Sequence, residues 1–165
     1  AFGGLLILDA DALNRISESK LGSNFFLERK FKTWITPHSK EFGRLFPNIK
    51  SKTNVGLARD AAKEFNISVL LKGANSVIAD NKKAWQLYGT DSQTARAGLG
   101  DLLSGFIAGS SAMDLTFNRN ITTEFFAKYV LLHSFAASKC KNGSNASAIG
   151  DELSKLMRNL SLIHI

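Results

Sequence analysis

The chain has 165 residues, 44% hydrophobic and 21% charged, with a formal net charge of +7. That length predicts one domain, with apolar residues enough for a packed core. No apolar run approaches the roughly 20 residues that span a bilayer, and the single Cys140 excludes an internal disulfide, which points to a reducing, cytoplasmic compartment.

The first residues, Ala1 to Leu8, carry no basic region and run straight into Asp9, unlike a signal peptide. Lys and Arg are scattered from Arg15 to Arg158 without a basic block or aromatic–basic interleaving, so no nucleic-acid surface is expected. The positive charge suits a polyanionic small molecule such as a dinucleotide or ADP, or simply a solvated surface.

Leu5-Leu6-Ile7-Leu8 is a short apolar run ending in an acid, as a buried parallel strand requires. Asp9 to Ser19 reads as helix or turn, with apolar Ala12, Leu13 and Ile16. Thr33 to Thr36 is a second strand, closed by Pro37, and Ser39 to Phe46 has helical spacing in Phe42, Leu45 and Phe46. Asn54 to Phe65 is an amphipathic helix, with Val55, Leu57, Ala58, Ala61, Ala62 and Phe65 on its apolar side. Ile67 to Leu71 is another buried strand, ending at Lys72-Gly73. Ser76–Ala79 and Ala84–Tyr88 are strands around the polar turn Asp80-Asn81-Lys82-Lys83. Helices follow over 101–113, 121–139 and 146–162. Phe25-Phe26, Phe42 and Phe125-Phe126 are expected in the core. The strand–helix alternation implies a parallel sheet flanked by helices, whose ligands bind beyond the carboxyl ends of strands. Asp9, Thr36, Lys72 and the Gly98 loop all fall at such ends.

The most informative stretch is Thr94-Ala95-Arg96-Ala97-Gly98-Leu99-Gly100-Asp101-Leu102-Leu103-Ser104-Gly105. Glycines permit positive φ and close backbone approach to a ligand. The helix that follows offers unpaired N–H groups and a positive dipole end, an anion site. Asp101 then stands where a carboxylate takes a proton from a substrate hydroxyl, an arrangement suited to phosphoryl transfer. The same residues also read as a tight turn with Asp101 as helix cap.

Four segments match one pattern in order: Leu8-Asp9-Ala10-Asp11-Ala12-Leu13-Asn14, Thr36-Pro37-His38-Ser39-Lys40-Glu41-Phe42, Leu71-Lys72-Gly73-Ala74, and Ala97-Gly98-Leu99-Gly100-Asp101 with its helix. Together they resemble the ADP- or ATP-dependent NAD(P)H-hydrate dehydratases, the carbohydrate-kinase-like repair domain also found as the carboxyl-terminal half of a bifunctional protein. The later helices, including His133, are compatible with it. The resemblance implies an α/β, ribokinase-like sandwich with a mainly parallel central sheet flanked by helices. Residues 1–165 would be one partial domain, incomplete at its amino terminus.

The resemblance also implies the chemistry. A nucleotide, ADP or ATP, phosphorylates the hydroxyl of hydrated NADH or NADPH (NADHX or NADPHX), and loss of phosphate restores the double bond. Carried over, Asp101 is the base. Lys72, Gly73, Ala97, Gly98, Leu99 and Gly100 hold nucleotide and transferring phosphoryl group, the last three through backbone N–H groups. Asp9, Asp11, Asn14, His38 and Glu41 line or support the substrate side. Mg2+ is expected to accompany the nucleotide, without an all-protein metal cage. The edge left by the missing amino-terminal part is expected to be covered by that part or by homo-oligomerisation.

Each residue also has a plainer reading: Asp9 a strand end, Asn14 an exposed helix residue, His38 a capping histidine, Lys72-Gly73 a turn, and Asp11 an acid favoured by the helix dipole. Two departures from the family pattern bear on activity. Leu99 stands where the family has a small hydroxyl residue, so its bulk is expected to crowd the phosphoryl group. Gly89-Thr90-Asp91-Ser92-Gln93-Thr94 lacks the family's Gly-Asn-Pro-Gly character, and Asp91 adds a negative charge near the anion site. These leave two alternatives, a vitamin-precursor kinase of the same superfamily and a catalytically impaired nucleotide-binding module.

Overall fold

Runs of three or four β-branched and leucine residues alternate with amphipathic stretches, and each becomes the element its period predicts. The computed structural model describes residues 3–88, 98–117, 119–140 and 144–162, with side chains to 159. Two compact units divide the chain, Ala1–Tyr88 and Gly89–Ile165.

The first unit carries β1 (Leu6–Leu8), α1 (Ala10–Glu18), a 3₁₀ turn (Gly22–Phe26), β2 (Thr33–Ile35), α2 (Ser39–Leu45), α3 (Asn54–Phe65), β3 (Ser68–Leu71), β4 (Val77–Ala79) and β5 (Ala84–Gln86). The five strands form one sheet in sequence order. β1, β2 and β3 run parallel, with Ile7 opposite Trp34 and Ile35 opposite Val69. β4 and β5 then turn back as an antiparallel hairpin, with Leu70 opposite Ile78 and Ile78 opposite Trp85. The Asp80 carboxylate closes that hairpin by accepting the N–H groups of Lys82 and Lys83, both at 2.7 Å. The sheet is therefore parallel where strands are joined through helices and antiparallel where a polar turn joins them.

The core of this unit lies between the sheet and its helices. Ile35, Val69, Leu71, Val77 and Ala79 from the strands meet Leu13, Phe42, Leu45, Ala58, Ala61, Ala62 and Phe65 from the helices. Phe46 is central, with ring centroids 4.9 Å from Phe65, 5.0 Å from Phe42 and 6.0 Å from Phe26. Of the phenylalanines expected in the core, Phe26, Phe42 and, in the second unit, Phe126 are buried, while Phe25 and Phe125 are half-buried. The 3₁₀ turn lacks helical periodicity in sequence; Gly22 adopts φ +51° and lets the chain swing Phe26 inward. α3 begins at Thr53, whose hydroxyl accepts the Gly56 N–H at 3.0 Å, and ends on left-handed Asn66.

The second unit is helical: α4 (Leu99–Thr116), α5 (Thr123–Lys139) and α6 (Ala146–Leu162). Ala136, Ala137, Ile149 and Leu153 form its core, with Leu99, Leu102, Phe106, Leu132 and Leu156 packed against them. The alanines let α5 and α6 approach closely. α4 starts two residues before the expected 101 and runs three beyond 113.

Candidate active site

The carboxyl ends of the three parallel strands are bound to one another. Thr36 follows β2 and donates its backbone N–H to the Leu8 carbonyl of β1 at 3.1 Å. Lys72 follows β3 and donates its N–H to the Pro37 carbonyl at 2.8 Å, while His38 and Lys72 form a parallel bridge. Asp9 follows β1, and its carboxylate accepts from the Lys72 ammonium at 2.7 Å. Residues 63 positions apart thus meet because parallel strands end at the same side of a sheet.

From these ends α1 and α2 carry the other residues. His38 caps α2: its Nδ1 accepts the N–H groups of Lys40 and Glu41 at 3.1 and 3.3 Å. Glu41 returns the contact, its Oε2 accepting the His38 N–H at 2.8 Å and its Oε1 standing 3.2 Å from Nε2. The plainer reading of His38 as a cap therefore describes what its side chain does. Asn14, on α1, accepts from the Arg44 guanidinium of α2 at 2.6 Å. Asp11 is exposed in the first turn of α1. Asp11, Asn14, Arg15, Glu18 and Arg44 line a depression of about 580 Å³. Gly73 is exposed and shares two hydrogen bonds with Ser76, at 3.1 and 3.3 Å.

In the second unit, α4 opens as the glycine pattern predicts. Gly98 is its N-cap at φ +80°, a conformation that excludes most side chains. Having no side chain, it leaves the first-turn N–H groups without a side-chain cap. Leu99 and Gly100 form the first turn, and Asp101 stands exposed within it, so Asp101 is a first-turn acid and Gly98 the cap. Leu99 packs its side chain on the Ala136–Ile149–Leu153 cluster. Leu99 is half-buried there, so at least part of its bulk is turned to the helical core. Ala97 and the 89–97 segment, including Asp91, lie outside the described residues.

Two features of consequence carry no signal in sequence. Arg44 sits three residues after Glu41 on α2, yet nothing local announces its bond to Asn14, 30 residues earlier. Ala10 has φ +45°, a left-handed backbone at an alanine. His133, whose place in the family pattern is unspecific, is buried in α5, and among the described residues its Nε2 has no hydrogen-bond partner. Burial pushes its pKa down to about 4. Tyr129, by contrast, is held well above the usual phenol range by burial and then by its hydrogen bond to Asp114, which also pairs with Arg119 at 2.8 Å.

A mixed sheet whose three parallel strands carry polar residues at their carboxyl ends, followed in the chain by a glycine-capped helix, defines an α/β protein of ribokinase-like architecture. Over 94% of its length the chain matches a ribokinase-like superfamily protein from Enterococcus faecalis with a TM-score of 0.77, at 23% identity and over 52% of that chain. The family model of the NAD(P)H-hydrate dehydratases (Carb_kinase) matches residues 2–159, and the chain belongs to that family. It is 38% identical over 114 residues to the bifunctional NAD(P)H-hydrate repair enzyme Nnr of Synechocystis, a match covering 68% of this chain and 22% of the relative. An ADP/ATP-dependent NAD(P)H-hydrate dehydratase from Bacillus subtilis, co-crystallized with ATP and Mg2+, has the same fold, with a TM-score of 0.70, 23% identity and coverage of 94% of this chain and 55% of its own. The chain thus spans about a fifth of the bifunctional relative and about half of the solved chains.

Proposed function

We propose that the chain carries a nucleotide-dependent NAD(P)H-hydrate dehydratase site, a lyase that repairs hydrated NADH or NADPH. One observation carries the reading: the α4 start, where left-handed Gly98 offers no side-chain cap to the first-turn N–H groups and Asp101 stands exposed in that turn. Fixed donors at a helix start stabilise a transferring phosphoryl group without reorganising. Asp101 takes the proton of the substrate hydroxyl as the hydroxyl oxygen bonds to the terminal phosphorus of ADP or ATP, the phosphoanhydride bond breaks, and AMP or ADP leaves with its electron pair. The carbon–oxygen bond then breaks, its electrons leave with phosphate, a proton leaves the neighbouring carbon, and the double bond returns.

The other roles follow the family pattern. Lys72 and Gly73, with the Gly98-Leu99-Gly100 backbone and Ala97, receive the nucleotide phosphates. Asp9, Asp11, Asn14, His38 and Glu41 line or support the substrate side, His38 and Glu41 by holding the start of α2. Among the described residues there is no group of three or more His, Cys, Asp or Glu side chains that could hold a metal ion. Mg2+ would arrive on the nucleotide phosphates, and no step is assigned to it. We read residues 1–165 as one partial domain, supported by the family match over 2–159. A cytoplasmic setting belongs to the same reading, supported by the lone Cys140; among the described residues no helix is long and apolar enough to cross a membrane. Homo-oligomers, or association with the remainder of a longer chain, are the partners it anticipates.

The test is recovery of 340 nm absorbance from chemically hydrated NADH and NADPH, with ADP and with ATP. Nucleotide-dependent recovery, reduced about 10²-fold or more by Asp101→Asn, is the expected result. Nucleotide binding without recovery would instead identify an impaired binding module.

A further inference from the structure

We infer that Asp9 is a positioning residue, whose carboxylate holds the Lys72 ammonium in place as an anion-binding group; this rests on the proposed nucleotide role of Lys72. An N-cap aspartate ordinarily turns its carboxylate into the helix mouth, onto the second or third N–H. Asp9 instead accepts the N–H of Ala10, the first helical residue, at 2.9 Å, and with the same Oδ1 accepts the Lys72 ammonium at 2.7 Å. The pair is largely shielded, with side-chain exposures of 13% for Asp9 and 24% for Lys72.

Two further features show that the fold is built around this contact. Ala10 is held at φ +45°, where its Cβ crowds the backbone. Non-glycine residues persist in that region only when their surroundings over-determine them, and such strain gathers at functional sites. At the other partner, the Lys72 backbone is fixed by its N–H to the Pro37 carbonyl and by its bridge to His38. A lysine stem with four rotatable bonds is otherwise costly to order; a carboxylate at one end and a pinned backbone at the other leave the ammonium in one position before any phosphate arrives. Asp9, placed on the substrate side by the family pattern, then acts there in support, through Lys72.

A mutant cycle on the whole chain decides this. Asp9→Asn keeps the Oδ1 acceptor for Ala10 and so keeps the start of α1, but loses the charge that holds the ammonium. Lys72→Met leaves Asp9 and its cap untouched. ADP affinity is measured by calorimetry for the wild type, both single variants and the double variant. Asp9→Asn is expected to weaken ADP about tenfold while the KM for the hydrate stays within about twofold, as for loss of a charged hydrogen bond. The double variant should bind ADP no more weakly than Lys72→Met alone, because coupled residues are non-additive. Acylation of Lys72 by an amine-reactive ester, followed by mass spectrometry, should quicken in Asp9→Asn, a readout that needs no turnover. Multiplicative losses in the double variant, a rise in hydrate KM with ADP affinity intact, unchanged Lys72 acylation, or a wild-type chain that binds no ADP would each overturn the inference. Tight ADP binding with no absorbance recovery would count against the dehydratase reading while leaving the cycle readable.

Discussion

Glu41 and His38 cap each other at the start of α2: the His38 ring accepts the Glu41 N–H at 3.3 Å while the Glu41 carboxylate accepts the His38 N–H at 2.8 Å. A buried glutamate is costly unless its oxygens are occupied, and Glu41 has 6% exposure. The pair fixes where α2 leaves β2 and hence where Arg44 meets Asn14. Glu41→Ala is expected to cost about 1–2 kcal/mol, with His38→Ala similar and His38→Asn milder because asparagine also caps. Thermal melts of the three variants check this; equal losses for His38→Ala and His38→Asn would contradict a capping role.

The start of α4 should separate backbone from side chain. Among the described residues Gly98→Ala meets no clash, since the Ala146 Cβ lies 3.7 Å from where the new Cβ would stand, but it places an alanine at φ +80°. The expected cost is about 1 kcal/mol in stability, with weaker ADP binding. Leu99→Ser restores the family's hydroxyl. Since Leu99 packs on Ala136 and Ile149, it should destabilise by roughly 1–3 kcal/mol and raise turnover by less than about twofold. A large rate gain in Leu99→Ser would show that this side chain faces the phosphoryl group after all.

Gly56 lies in the first turn of α3, where alanine would normally favour the helix by about 1 kcal/mol. A Cβ there would stand 1.9 Å from Ser51 Oγ and 2.9 Å from Ser51 Cβ. Gly56→Ala is therefore expected to destabilise by about 1–3 kcal/mol. Ser51→Gly removes the two nearest obstructing atoms, leaving only the tight 3.2 Å approach of Thr53 Oγ1, and in that background the substitution should become neutral or stabilising. Denaturant unfolding of the four proteins tests the sign reversal.

His133 makes stability depend on acid. Its folded pKa of about 4 lies below the ordinary 6.5, so between those values the unfolded chain binds the extra proton. Above pH 6.5 both states are neutral at this residue and it carries no penalty. Stability then falls as pH drops from 6.5 and levels near 4, by on the order of 3 kcal/mol from this group. His133→Leu should flatten that part of the profile. An unchanged slope between pH 6.5 and 4 in the variant would place the acid sensitivity elsewhere.

The elements are legible where period and punctuation agree. Asn54–Phe65 has both an apolar face and a capping Thr53, and its ends fall where the pattern puts them. The hairpin around Asp80–Lys83 is equally plain, since a polar turn between two apolar runs allows little else. The 3₁₀ turn is not, because Phe25-Phe26 reads as core without saying which local geometry delivers it.

The candidate site divides the same way. Residue type and position along the chain determined which groups belong at strand ends, and that a glycine would open α4 in a left-handed conformation; both follow from local stereochemistry. Only tertiary structure decided that Asp9 faces Lys72, that Arg44 faces Asn14, and that half-buried Leu99 packs against the α5–α6 core. Those outcomes depend on strand register, on helix packing and on which partner satisfies a shielded charge. No stretch of sequence contains them, because each joins residues whose separation along the chain says nothing about their distance in space.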